Sequence, residues 1–217
     1  MAKPSDNPAA ALAEIRAIMQ RSTRFIALSG LSGVATGLVA LIGAGIAYYK
    51  VTSDYDTSNI AYAFHIAGNE GAKLFRFLLI LCVAMIVAAV VVAIYFTNRS
   101  ARQKGQPVWD NSAKRLLINL GIPLTAGGIF CLLLFWHDAI DLIMPAMLLF
   151  YGMAMLHASK YSVDELRQLG ISEVALGLLA GFWSNYGLLF WAIGFGIFPI
   201  LYGLRMYNRY ERSAQHQ

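Results

Sequence analysis

Residues Ile171–Met206, ISEVALGLLAGFWSNYGLLFWAIGFGIFPILYGLRM, form an apolar block of 36 residues interrupted by one acid, Glu173, and one base, Arg205. As a single helix it would run roughly 54 Å at 1.5 Å per residue. A bilayer core is about 30 Å thick, and tilt does not absorb the excess. The block therefore predicts two spans, with a turn at Ser184-Asn185-Tyr186-Gly187, a run of turn-forming residues. That division sets the number of membrane crossings for the whole chain.

Working outward, four more apolar stretches lie upstream, at about 25–49, 74–96, 116–136 and 140–157. With the block split at 171–184 and 187–206, the expectation is an all-α membrane protein of six transmembrane helices. Lys and Arg test the count independently. In a six-span arrangement the N-terminus, the 97–115 and 158–170 loops and the C-terminus share one side, which holds 14 of the 17 basic residues. The other side keeps Lys50, Lys73 and Arg76 against five acids. Such a bias marks the cytoplasmic face. Both termini are expected inside, and the location expected is a bacterial inner membrane. The net charge of +5 is then an orientation signal. It forms no stripe of its own, so no nucleic-acid partner is expected.

Composition supports the same class. The chain is 58% hydrophobic and 13% charged, against about 45–50% and about 25% in soluble domains. This excludes a soluble globular enzyme, a disordered regulator and a disulfide scaffold. Cys82 and Cys131 sit inside apolar runs and read as buried thiols. The first apolar block starts late and is too long for a signal-peptide core, so it reads as a retained span. Residues 1–24 form a tail ahead of it. Leu12, Ile15, Met19 and Phe25 fall near one helical face, either as an amphipathic helix on anionic cytoplasmic lipid or as an extension of the first span. Residues 207–217 form the other tail. Tyr48, Tyr49, Trp136, Trp183 and Tyr186 stand where an outer aromatic belt is expected.

The later spans repeat. Leu120-Gly121-Ile122, Phe135-Trp136 and Tyr151-Gly152-x-x-Met155 recur in order as Leu169-Gly170-Ile171, Phe182-Trp183 and Tyr202-Gly203-x-x-Met206. Both units run in the same sense, which predicts parallel helical hairpins, with the first two spans as a diverged third copy. Small residues mark a helix-packing seam: Ser29, Gly33 and Gly37 in the first span, Gly177 and Gly181 in the fifth. Gly121, Thr125 and Gly128 form a looser version in the third. Pro123, Pro145 and Pro199 should kink or start their helices.

A charge within a span defaults to a functional hypothesis. Glu173 falls about three residues into the fifth span, near the cytoplasmic edge, at the depth of Arg24. A structural ion pair between them, joined by Asn119, is the leading expectation; proton or ion coupling and simple solvation are the alternatives. On the outer side His137, Asp138 and Asp141, with His65 and Glu70 from the long loop, make a weak polar cluster. Its spacing matches no standard metal motif, and a solvated hairpin turn accounts for it. No catalytic, cofactor-binding or metal-ligating residue is assigned, and no cofactor is expected.

The string Arg21-Ser-Thr-Arg-Phe-Ile-Ala-Leu-Ser-Gly-Leu-Ser-Gly33 resembles the opening of an uncharacterised six-span membrane protein family of Bacteroidota. The Lys160-Tyr-Ser-Val-Asp-Glu-Leu-Arg-Gln-Leu-Gly stretch and the Leu188-Leu-Phe-Trp-Ala-Ile-Gly-Phe-Gly-Ile segment carry the resemblance along the chain. It implies a fold and transfers no site residue. The hairpins with glycine seams are also similar in architecture to the HdeD-like acid-resistance membrane proteins. The function expected is a non-enzymatic envelope, stress or scaffolding component, with anionic lipids, a second copy or another membrane protein as partners. The alternative is a small transporter or channel for a hydrophobic or small solute.

Overall fold

The computed structural model describes residues 29–103, 111–162 and 164–211. Arg24, the amphipathic face of residues 12–25 and the rest of the 1–28 segment lie outside the described residues. Those that are described form helices joined by short turns, with no strand among them. They are α1 (Gly30–Tyr55), α2 (Ile60–Ala67), α3 (Gly71–Gln103), α4 (Asn111–Trp136), α5 (Ile143–Ser159), α6 (Asp164–Phe182), α7 (Gly187–Trp191) and α8 (Phe198–Met206). A π-helical turn, Ala192–Ile197, welds α7 to α8, and a second, Tyr207–Glu211, follows α8. Four helical stretches are long and apolar enough to cross a membrane: Gly30–Arg102, Ala113–Trp136, Ile140–Ser159 and Ser184–Arg209. The described residues thus form an all-helical fold with four candidate membrane spans.

The first of these stretches is broken by two residues with positive φ. Asp56 ends α1 at φ 51°, and Gly68 (φ 50°) separates α2 from the turn that opens α3. Between them Asn59 starts α2, its side-chain oxygen accepting from the Ala61 and Tyr62 amides. This short helix buries Ala63 against Val51 of α1 and Leu74 of α3. The other turns are 3₁₀ segments, Ile140–Leu142 between α4 and α5 and Ser184–Tyr186 between α6 and α7. The 36-residue apolar block therefore breaks at Ser184–Tyr186. Asn59 donates to the side chain of Asn185 (3.1 Å), so α2 and the Ser184–Tyr186 turn stand at one end of the bundle.

The helices are longer than the apolar stretches within them. α3 runs to Gln103, α4 starts at Asn111, and α6 starts at Asp164. Hydropathy tracks lipid contact and misses the polar turns that continue a helix beyond it. The shift matters most for α6, where Asp164-Glu-Leu-Arg-Gln-Leu, read as loop, is helical.

Around the bundle, α3 packs on α1, α1 on α7–α8, α6 against α7–α8 and α5, and α5 on α4. The ring closes at its ends. Phe135 of α4 stacks on Phe75 of α3 with centroids 4.3 Å apart, and Ala101 of α3 meets Ala113 and Leu116 of α4 at the opposite end. Two cores sit near mid-height. One gathers Leu148, Leu176 and Ala180 with Phe190 and Phe198; the other gathers Ala40, Ala44 and Trp191.

Glycine makes the tight contacts. Gly152 and Gly203 each face another glycine: a methyl at Gly152 would lie 2.8 Å from the Gly170 carbonyl oxygen, and one at Gly203 2.6 Å from that of Gly30. Without a hydrophobic drive in lipid, backbone approach of this kind supplies the packing energy.

Candidate functional site

Because α6 begins at Asp164, Glu173 is the tenth of its 19 residues. It stands at the midpoint of the helix, about 13–14 Å from either end at 1.5 Å per residue. Hydropathy places it three residues into an apolar stretch, and the helix itself starts seven residues before that stretch. Glu173 is among the largest side chains with no solvent exposure, and both carboxyl oxygens lack a hydrogen-bond partner among the described residues.

Three elements enclose it. α6 supplies Glu173 and Leu176, α5 supplies Leu148 and Tyr151, and the π-helical turn supplies Gly194. A methyl at Gly194 would fall 2.5 Å from Glu173 Oε2, so the carboxyl lies against bare backbone. Tyr151 is within electrostatic reach of Glu173. Its ring meets Phe195 at 4.7 Å, and Phe195 stacks on Trp191 at 4.8 Å. The carboxyl thus ends in a box of aromatic, aliphatic and backbone groups.

The π-helical turn has a local cause. Pro199 brings no N–H to the carbonyl four or five residues before it, and the ring crowds that turn. Gly194 and Gly196, both buried, let the widened turn press on its neighbours: Gly194 on Glu173, and Gly196 on Gly37 and Leu41 of α1. Such turns are rare and concentrate at functional sites. One turn further, the Tyr202 hydroxyl pairs with Ser172 Oγ at 3.1 Å, fixing α8 to the residue beside Glu173.

At the start of α6 a different acid is paired. Glu165, 3% exposed, accepts from Arg209 Nη1 at 2.8 Å and ties α6 to the turn after α8. Repeat and seam patterns gave no hint of this pair, since both residues read as tail or loop. The two buried acids of α6 are therefore handled differently: the one at its end has an ion-pair partner, and the one at its middle has none among the described residues.

The remaining predicted residues are dispersed. Arg24, the expected partner of Glu173, lies outside the described residues. Asn119 donates to the Arg115 carbonyl of its own helix at 2.8 Å and does not join Glu173. In the first-span seam Ser29 is buried, Gly33 faces Pro199, and Gly37 faces Gly196. Gly177 meets the Leu149 amide of α5, whereas Gly181 has nothing within 4 Å. The third-span seam needs correction. Gly121 and Gly128 meet nothing within 4 Å, and Thr125 points outward with them. The packing glycine of α4 is Gly127, which lies against the Phe150 ring. Spacing alone did not tell which stripe of α4 faces inward. Gly121 and Thr125 instead help line an open apolar groove of about 530 Å³ with Ile118, Ile122 and Ile129.

His65, His137, Asp138 and Asp141 are all exposed, and no three His, Cys, Asp or Glu side chains among the described residues group as metal ligands. Cys82 and Cys131 are free thiols. Outside the spans, Lys50 bonds Asp54 at 2.6 Å, and that hydrogen bond raises the Lys50 ammonium above its ordinary range. Compared with known protein families, with curated proteins and with solved structures, the chain matches none.

Proposed function

We propose that the chain is a six-span integral protein of a bacterial inner membrane, with both termini cytoplasmic. In this reading α1, α3, α4, α5, α6 and the α7–α8 rod each cross the bilayer, and the protein serves as a non-enzymatic envelope or stress component. The distribution of 14 of 17 basic residues supports the orientation. Repeated hairpins are supported by the equivalent 3₁₀ turns and by the shared glycine contacts of Gly152 and Gly203. The observation that carries the functional reading is the filled centre of the bundle. Leu148 and Glu173 are fully buried, and close backbone contacts pair α5 with α6 at Gly152 and Gly170 and α1 with α8 at Gly30 and Gly203. Such a centre offers no path for a solute. The exposed apolar faces of α3 and α4 are covered by lipid chains in this reading.

A transporter reading has one observation in its favour: a mid-helix acid facing an interrupted helix, an arrangement common at transport sites. Flux decides between the two. Purified protein in liposomes, followed with pH- and potential-sensitive dyes for proton, sodium and potassium movement and by light scattering for glycerol, is expected to match empty liposomes. Flux above that baseline would replace the first reading with the second.

A further inference from the structure

Glu173 is a titratable side chain that the packing role does not explain. A glutamine or leucine would fill the same volume without the cost of a carboxyl cut off from water and partners. The geometry points to Glu173 as an exchangeable proton site that sets how α5 and α6 close on the Ala192–Ile197 turn. The inference rests on α6 crossing the bilayer and holds for a closed bundle as for a transporter.

Three observations carry it. Both carboxyl oxygens are fully buried and without a partner among the described residues, at the middle of α6. Oε2 lies where a Cβ at position 194 would stand, so nothing but backbone separates it from the π-helical turn. That turn is followed by Pro199, which leaves carbonyl acceptors of the turn without their helical N–H. With the proton on, the carboxyl is neutral and its burial beside the Gly194 backbone is tolerated. With it off, the O–H bond breaks, the electron pair stays on oxygen, the proton passes to water when the contact opens, and a full negative charge is left buried without a partner among the described residues. The charged state favours separation of α6 from the turn.

Among the described residues no other charge offsets it. From α5 the titratable group in reach is Tyr151. Residues 192–197 carry none, and Tyr202 beyond them is held by Ser172. On α6 the nearest charged groups are Arg167, about 9 Å back along the axis, and Glu165, about 12 Å back, the latter bound to Arg209. α1 presents no charged side chain between Gly30 and Tyr49.

The test is carboxyl modification of the full-length protein in liposomes, mapped by peptide mass spectrometry. A hydrophobic carbodiimide reacts with protonated carboxyls inside a bilayer. It is expected to modify Glu173 in mildly acid buffer and progressively less as pH rises, with no effect of sodium at fixed pH. A water-soluble carbodiimide should leave Glu173 untouched. Absent or pH-independent labelling at Glu173 would overturn the proton site, and protection by sodium would overturn its assignment to a proton. Equal labelling by the water-soluble reagent would overturn the mid-bilayer placement itself. None of these outcomes depends on the flux result. For the coupling to the turn, Trp191 is made the sole tryptophan, the other three replaced by Phe. Its emission should shift over the same pH series, and Glu173→Gln should abolish the shift. A shift that survives Glu173→Gln would overturn the coupling.

Discussion

A methyl group added at Gly152 would press on the Gly170 carbonyl and the Val174 amide, each 2.8 Å away; one added at Gly128 would meet nothing within 4 Å. The two glycines represent two regions of the bundle. In the first, α1, α5, α6 and α7–α8 meet through glycine and fully bury side chains such as Leu148 and Ala180. In the second, α3 and α4 touch mainly near their ends. α3 has no buried residue between Leu74 and Ser100, and among the described side chains of α4 only Ala113, Leu116 and Gly127 are buried. Glycine means different things in the two regions. At close contact it is required by space; on an open face it merely weakens the helix.

That difference predicts opposite signs for one substitution. Gly152→Ala forces backbone apart and should destabilise by about 3 kcal/mol, the upper range for overpacking. Gly128→Ala should be neutral or stabilise by up to about 1 kcal/mol through helix propensity. Detergent-induced unfolding of both variants measures the contrast. Equal destabilisation would mean that α4 has an inward face the bundle does not reveal.

A smaller effect tests side chains across the same divide. Leu148 is fully buried at the centre, whereas Val87 of α3 is 56% exposed. Leu148→Ala should cost about 2 kcal/mol, because a void strips its lining of dispersion contacts even where lipid removes the transfer term. Val87→Ala exchanges protein surface for lipid and should stay within about 0.5 kcal/mol. Comparable losses at both positions would show α3 packed as tightly as α5.

The division between the regions was only partly legible in the sequence. Apolar blocks and the bilayer length identified an all-helical membrane protein, and Ser184–Tyr186 marked the break in the longest block. Glu173 stood out as a charge in an apolar run. Its depth did not, since helix polarity at Asp164-Glu-Leu-Arg-Gln hides a helix start that tertiary contacts decide. The α1 seam was legible because Gly33 and Gly37 share a stripe, although Gly30 and Ser32 beside them are buried as well. On α4, Gly121 and Gly128 share one stripe and Gly127 lies on another, and only the position of Phe150 selects Gly127. The π-helical turn left a faint mark, two glycines and a proline within six residues, but a one-residue widening depends on what Gly194 and Gly196 must press against.

The smallest expected effect lies where the two regions meet at the end of the bundle that holds α2. Asn59 caps α2, which packs on α1 and α3, while its amide nitrogen donates to Asn185 in the turn between α6 and α7. Its two roles separate by substitution. Asn59→Ala removes both and should cost about 1 kcal/mol, the usual worth of an N-cap. Asn59→Asp keeps the cap acceptor and loses the amide donor. The Asn185 contact is exposed, so the loss from Asp should be only a few tenths of a kcal/mol. Hydrogen exchange at the Ala61 and Tyr62 amides gives a local reading: faster in Asn59→Ala, unchanged in Asn59→Asp. If both variants exchange alike and lose the same stability, the bond to Asn185 is what holds α2 in place, and the boundary between the two regions is a mechanical tie and not a cap.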